Sequence, residues 1–336
     1  MTHNRPLSDD AIRLEGVSKR FGTKVAVDNL HLSVPQGSLC GFLGPNGAGK
    51  TTTIRMIMSI ILPDEGRLSV LGRASAVESK DRIGYLPEER GVYRTMTVAD
   101  FLAYVARLKG VDTHGLSKKI DDWLEKLALP GVRKKKCQEL SKGMQQKVQF
   151  AATVIHDPDL IILDEPFSGL DPVNARILRE LILEQNNAGK TILFSTHVLF
   201  SAEQLCDRVF MVNQGRKVLD GGLDEIRAGH DPRTVIAEPL TAGAGERELR
   251  ALPGVQSLFA APRGRSAFVL HLSDDADAPA VMRAAASIPG APMRRVEIQS
   301  VTLEDIFIDL VQPGDSEDIM RRSISAEQPM EVGADA

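Results

Sequence analysis

Cysteine is scarce: Cys40, Cys137 and Cys206 are odd in number, far apart and without a C-x-x-C pair. The pattern argues against a disulfide framework or a cysteine-built zinc site, and reads as reduced, mostly buried thiols of a cytosolic protein. Long apolar runs are also lacking. The most apolar stretch, around Ile57 to Leu62, falls far short of the roughly 20 residues that cross a bilayer, so a spanning segment is expected only in another chain. Met1 to Asp10 is polar, carries two acids and lacks the basic and apolar parts of a signal peptide. Nor is there a large excess of charge: the formal net charge of −4 leaves no dominant nucleic-acid footprint, and no nucleic-acid partner is expected.

What is present is soluble globular sequence, 43% hydrophobic and 26% charged over 336 residues, enough for two domains. It is organised around Gly44-Pro45-Asn46-Gly47-Ala48-Gly49-Lys50-Thr51-Thr52, which follows the apolar run Ser38 to Leu43 and precedes a helical segment. This is G-x-x-x-x-G-K-[ST] in its strand, loop, helix setting. Glycines let backbone N–H groups turn around a phosphate, the helix offers its positive N-terminus, Lys50 reaches the outer phosphates and Thr51 ligates Mg²⁺. A nucleoside triphosphate is the expected ligand.

Before the loop, Ile12 to Val34 reads as short antiparallel strands broken by Gly22 and Pro35, with Phe21 either core or an adenine platform. After the helix Thr51 to Ile60 come strands Arg67 to Leu71 and Arg82 to Leu86. Three helices follow (Val98 to Lys109, Leu116 to Leu129, Leu140 to His156), a helical insertion over about 95–158 whose Trp123 serves packing. The run Arg133 to Lys136 is a solvated face or, alternatively, a patch for phosphate or a partner. Strands Leu160 to Leu163, Thr191 to Phe194, Val209 to Val212 and Lys217 to Leu219 then alternate with helices Val173 to Asn186 and Ser201 to Cys206. The fold class is therefore α/β, a phosphate-loop nucleotide-binding domain over 11–228 with an antiparallel β subdomain.

Composition shifts near Gly229. A small α+β domain is expected over 230–312, with a hairpin around Pro262-Arg263-Gly264, and 313–336 reads as a disordered tail. No chemical constellation stands out there.

The strand Leu160 to Leu163 ends in Asp164-Glu165-Pro166, which sets Asp164 beside the phosphate loop as a Mg²⁺ ligand and Glu165 where a carboxylate polarises the attacking water. With these acids in place the chain resembles the ATP-binding subunit of an ABC transporter. Leu140-Ser141-Lys142-Gly143-Met144-Gln145-Gln146 is similar to the family signature, Ser168-Gly169-Leu170-Asp171 to its D-loop, and Ser195-Thr196-His197 to its switch histidine. The resemblance runs in family order over residues 12 to about 228. It implies a homodimer, or a pair with a paralogous ATPase subunit, in which Ser141 and Gly143 meet the γ-phosphate of the partner's ATP. It also implies a separate multi-spanning permease and a peripheral place at the inner face of the membrane. Read without the family, Ser141 is an ordinary helix cap and His197 caps the next helix.

Two departures stand out. Glu88 occupies the family's Q-loop glutamine position, where it is a catalytic and Mg²⁺ candidate, and Lys142 and Met144 replace the usual Gly and Gln. A subset of bacterial two-component exporters, including sodium and drug exporters, looks similar in both respects and shares the Thr302 to Phe307 ending. Export is thus expected. The alternative is an ABC-type ATPase acting on ribosomes or DNA, but a single phosphate loop and the absence of sustained heptads speak against it. A phosphate-loop kinase or GTPase leaves the signature, D-loop and histidine unexplained.

Overall fold

The computed structural model describes residues 10–89, 91–229, 233–261, 267–299 and 301–311. The expected tail over 313–336 and the turn at Pro262 to Gly264 lie outside the described residues. The chain divides into two compact units between Leu223 and Asp224.

The first unit opens with a hairpin, β1 (Asp10–Phe21) against β2 (Lys24–Pro35). These strands are longer than the pieces legible in the sequence. Irregular pairing between Leu14 and Val17, where Gly16 takes φ +62°, breaks the apolar alternation without ending the strand. Next, β3 (Leu39–Leu43) is buried at every position and feeds the phosphate loop and α1 (Lys50–Ile57). Ser59 takes a left-handed φ of +56°, so α1 stops before the expected Ile60. β4 (Glu65–Val70) completes the three-stranded sheet β2-β1-β4.

β5 (Ile83–Leu86) leads into the helical block α2 (Val98–Leu108), α3 (Leu116–Lys126) and α4 (Lys142–Val154). Thr97 caps α2 by accepting from the Asp100 N–H at 3.2 Å, and Ser141 caps α4 by accepting from Met144 N–H at 3.3 Å. Trp123 of α3 packs edge-on against Phe150 of α4, ring centroids 6.3 Å apart. In the basic run, Arg133 pairs with Asp121 while Lys134, Lys135 and Lys136 are exposed, the arrangement of a solvated face.

Thereafter β6 (Leu160–Asp164), α5 (Pro172–Asn187), β7 (Thr191–Thr196), α6 (Leu199–Glu203), β8 (Arg208–Asn213), β9 (Arg216–Gly222) and α7 (Leu223–Ala228) follow in turn. The main sheet has the order β5-β6-β7-β3-β8-β9, parallel except for β9. Its central strands are flanked on both edges and covered on both faces, which is why β3, β6 and β7 read as unbroken apolar runs. One core joins Ile12 and Leu30 of the hairpin to Ile54 and Met56 of α1 and to Phe42 and Ile162 of the main sheet. All three cysteines are buried.

The second unit is α+β. Its strands β10 (Thr234–Pro239), β11 (Val255–Ala260), β12 (Phe268–Leu272) and β13 (Met293–Ile298) form an antiparallel sheet of order β11-β12-β10-β13. Its helices, after α7 at the boundary between the units, are α8 (Glu246–Arg250), α9 (Ala278–Ala286) and α10 (Leu303–Val311). Val235, Leu249, Leu270, Val281 and Ala285 share its core. Thr302 and Asp305 make a reciprocal cap at the start of α10, the Thr302 N–H donating to Asp305 Oδ2 at 3.0 Å and the Asp305 N–H to Thr302 Oγ1 at 3.2 Å.

Candidate active site

The phosphate loop, Asp164-Glu165 and Thr196-His197 follow the adjacent parallel strands β3, β6 and β7, so all three emerge at one edge of the main sheet. The carboxyl edge of a parallel sheet is where an α/β fold places its ligand. A cleft of about 420 Å³ opens there. Asn46, Gly47, Gly49, Lys50, Thr51 and Thr52 form one wall, Glu88, Asp164 and Glu165 another, and Phe21 stands at the hairpin side. Phe21 is 52% exposed, which removes it from the core, and the Lys19 ammonium lies 5.7 Å from its ring centroid.

Backbone geometry shapes the loop. Gly49 caps α1 at φ +107° with no side-chain cap, and a Cβ there would lie 2.5 Å from the Ala26 carbonyl oxygen. Gly44, at φ +149°, would bring a Cβ within 2.2 Å of Val212 O. Only glycine satisfies both the dihedral and the close approach. Pro45 O accepts from the Ala48 N–H at 3.1 Å, and Ala48 is buried. The first-turn amides of α1 thus meet no capping side chain and remain open to an anion. Lys50 is buried, and its ammonium donates to Gly44 O at 2.7 Å and Pro45 O at 3.2 Å. Burial lowers its pKa, against the opposing pull of Glu165, Asp164 and Glu88.

Across the cleft Asp164 is 1% exposed, next to the Ser195 and Thr51 hydroxyls at a geometry short of a well-formed hydrogen bond. Burial raises its pKa most, the Ser195 and Thr51 hydroxyls pull it down, and the charges of Glu88 and Glu165 push it up. A buried carboxylate this poorly served by donors suits a cation. Glu165 is handled differently. Its Oε2 accepts from Thr196 Oγ1 at 3.0 Å, and its Oε1 accepts from the His197 N–H at 2.8 Å and lies 2.6 Å from His197 Nδ1. The β6–β7 register pairs Asp164 with Ser195, which carries Glu165 alongside Thr196 and His197. Glu165 itself takes φ +49°, a left-handed backbone for a non-glycine residue.

The signature and D-loop residues do not line this cleft. Ser141 caps α4, and a Cβ on Gly143 would lie 3.3 Å from Leu170, so the signature packs against the segment between Ser168 and Asp171. Asp171 caps α5 by accepting from the Asn174 N–H at 2.9 Å, a bond that also lowers its pKa. Gln146 Nε2 donates to Pro166 O at 3.0 Å and ties the signature helix to the turn after Glu165.

Residues 27–168 match the family described as ABC transporter, and residues 221–311 match the one described as ATP-binding protein DrrA1-3-like, C-terminal domain. The chain is 38% identical over 301 residues to the uncharacterized ABC transporter ATP-binding protein YhaQ of Bacillus subtilis (strain 168), covering 89% of this chain and 98% of that one. It belongs to the ABC transporter ATP-binding proteins. A Nod factor export ATP-binding protein I of Sinorhizobium fredii (strain NBRC 101917 / NGR234) is 34% identical, covering 91% of this chain and 88% of that one. A solved structure described as the ATP-binding subunit of an ABC transporter superposes with a TM-score of 0.61 at 30% identity, over 65% of this chain and 92% of that one.

The protein is thus the ATP-binding subunit of an ABC transporter and an ABC-type ATP hydrolase. In this ABC ATPase two residues beyond the motifs, Lys24 and Ala26, line the cleft, and Thr196, which precedes the switch histidine, holds Glu165. Lys24 and Ala26 follow Phe21-Gly22 at the start of β2, a position visible in the sequence once the hairpin is paired. Thr196 sits beside His197 at the end of an apolar run, where a hydroxyl is the signal. Among the described residues no helix is long and apolar enough to cross a membrane.

Proposed function

We propose that this ABC ATPase closes into a dimer on ATP, either with a second copy or with a paralogous ATPase subunit, and drives a separate multi-spanning permease for export. The carrying observation is the single cleft that gathers Lys50, Thr51, Glu88, Asp164 and Glu165 at the carboxyl ends of β3 and β6. Loop amides from Gly44 to Thr52 and the Lys50 ammonium hold the outer phosphates, and Phe21 stacks on the base. Thr51, Asp164 and Glu88 hold Mg²⁺, which when bound offsets phosphate charge. Two carboxylates and a hydroxyl suit an ion that keeps several waters.

Glu165 accepts the proton of the attacking water, and His197 orients its carboxylate. Ser141 and Gly143 of one subunit meet the γ-phosphate in the other's cleft, with Ser168 and Asp171 bordering the junction. Export draws support from the export named for the Sinorhizobium relative. The ATPase lies at the inner face of the membrane because its partner supplies the spanning helices.

The test is Glu165→Gln. Losing a general base slows hydrolysis by about 10²-fold or more, while ATP binding persists and an ATP-trapped dimer accumulates on gel filtration. A variant that hydrolyses normally and stays monomeric with Mg-ATP contradicts the reading.

A further inference from the structure

We propose that Lys19, held by Asp64, is a positioning residue for nucleotide binding: its ammonium backs the Phe21 ring and keeps it set for the base. The inference rests on the reading above that Phe21 stacks on the base, and adds what fixes the ring. Phe21 closes β1 and pairs in register with Lys24 across the turn at Gly22, so it stands at a hairpin tip. It is 52% exposed, and among the described residues no other aromatic ring packs against it. A ring so placed is free to change rotamer, and ordering it when the base arrives costs binding free energy.

Lys19 and Asp64 remove that freedom. Lys19 Nζ lies over the Phe21 ring, 5.7 Å from its centroid, and donates to Asp64 Oδ1 at 2.7 Å. Asp64 is tied to the same strand twice more: its Oδ2 accepts from the Arg20 N–H at 2.7 Å, and its own N–H donates to Ser18 O at 2.9 Å. The Lys19 ammonium, and after it the Arg20 N–H, hold the Asp64 carboxyl below the ordinary carboxylate range. Lys19 does not line the cleft, whereas Phe21 and Lys24 do. The ammonium therefore covers the ring from outside and leaves its cleft side to the base. An ion pair whose carboxylate is 42% exposed adds little to stability. Its consequence is the fixed place of a cation over the ring.

The measurement is ATP affinity by calorimetry, with kcat at saturating Mg-ATP, for the full-length chain and its variants. Lys19→Met keeps the alkyl stem and removes the cation. It raises the dissociation constant for ATP about three- to tenfold and leaves kcat at the wild-type value, because Lys19 stands outside the cleft. Lys19→Arg, which keeps a cation for both the ring and Asp64, binds ATP within about twofold of wild type. In a Phe21→Ala background Lys19→Met has no further effect, as a residue acting through the ring requires. Wild-type affinity in Lys19→Met, an equal loss with and without Phe21, a matching fall in kcat, or Lys19→Arg binding no better than Lys19→Met overturns the proposal. Phe21→Ala alone separates the two readings. If it weakens ATP binding while Lys19→Met does not, only the positioning role falls; if it binds ATP as the wild type does, the base platform falls and the positioning role with it.

Discussion

His197 Nδ1 lies 2.6 Å from Glu165 Oε1 although 32 residues separate them in the chain. The same carboxylate is held at its other oxygen by Thr196 Oγ1, which in turn accepts from the Val198 N–H at 3.0 Å. The glutamate at the end of β6 is therefore fixed by the end of β7, and its aim depends on sheet register as much as on its own backbone.

Thr196→Val removes one donor from Glu165 and leaves Oε2 buried without it. A hydrogen bond to a charged group contributes about 1.5–3 kcal/mol, so kcat falls about tenfold or more. KM for ATP stays near the wild-type value, because Thr196 lies off the phosphate loop. Steady-state kinetics check this, and Thr196→Ser, which keeps the hydroxyl, restores most of kcat.

Gly49→Ala tests the loop backbone. The added Cβ meets the Ala26 carbonyl oxygen at 2.5 Å, in a dihedral region alanine avoids. Local strain of about 1–3 kcal/mol displaces the loop, and ATP affinity measured by calorimetry drops about tenfold or more. An unchanged affinity shows that the loop tolerates a side chain there.

His156 gives the fold a pH dependence that does not involve the active site. Burial, with help from the Lys109 ammonium, lowers its pKa from 6.5 to about 4. Between those values the unfolded chain binds a proton that the folded chain refuses. Its contribution is therefore fully present above pH 6.5 and is lost as the pH falls toward 4. About 2 kcal/mol disappears between pH 6.5 and pH 5, read as a falling urea midpoint. His156→Leu, which cannot titrate, shows a flatter dependence over that range.

Much of this was legible in the sequence because local chemistry and global position agree. Leu160 to Leu163 and Thr191 to Phe194 are continuous apolar runs, as central parallel strands are. Ser141, readable as a helix cap, does cap α4. The hairpin strands run longer than their apolar pattern predicts because the irregular pairing around Gly16 hides their period. The sequence does not display α8, because Glu246–Arg250 is barely one turn and has no apolar stripe. The hold of Thr196 on Glu165 is a matter of register between β6 and β7, which no window of sequence contains.

Shared sites are the central claim, because Ser141 and Gly143 do not line the cleft of their own chain. In the proposed homodimer, Lys50→Ala is expected to remove the buried ammonium from the phosphates and Ser141→Arg to block the γ-phosphate held by the partner, each inactivating the enzyme. In a mixed dimer one cleft combines both lesions, and the other pairs an intact Lys50 with an intact Ser141. The decisive measurement is ATPase activity of the two purified variants mixed at varied ratios under conditions where subunit exchange is demonstrated. Activity is expected to return in part and to rise with the fraction of mixed dimer; a mixture that exchanges subunits and stays inactive contradicts an independently working shared site.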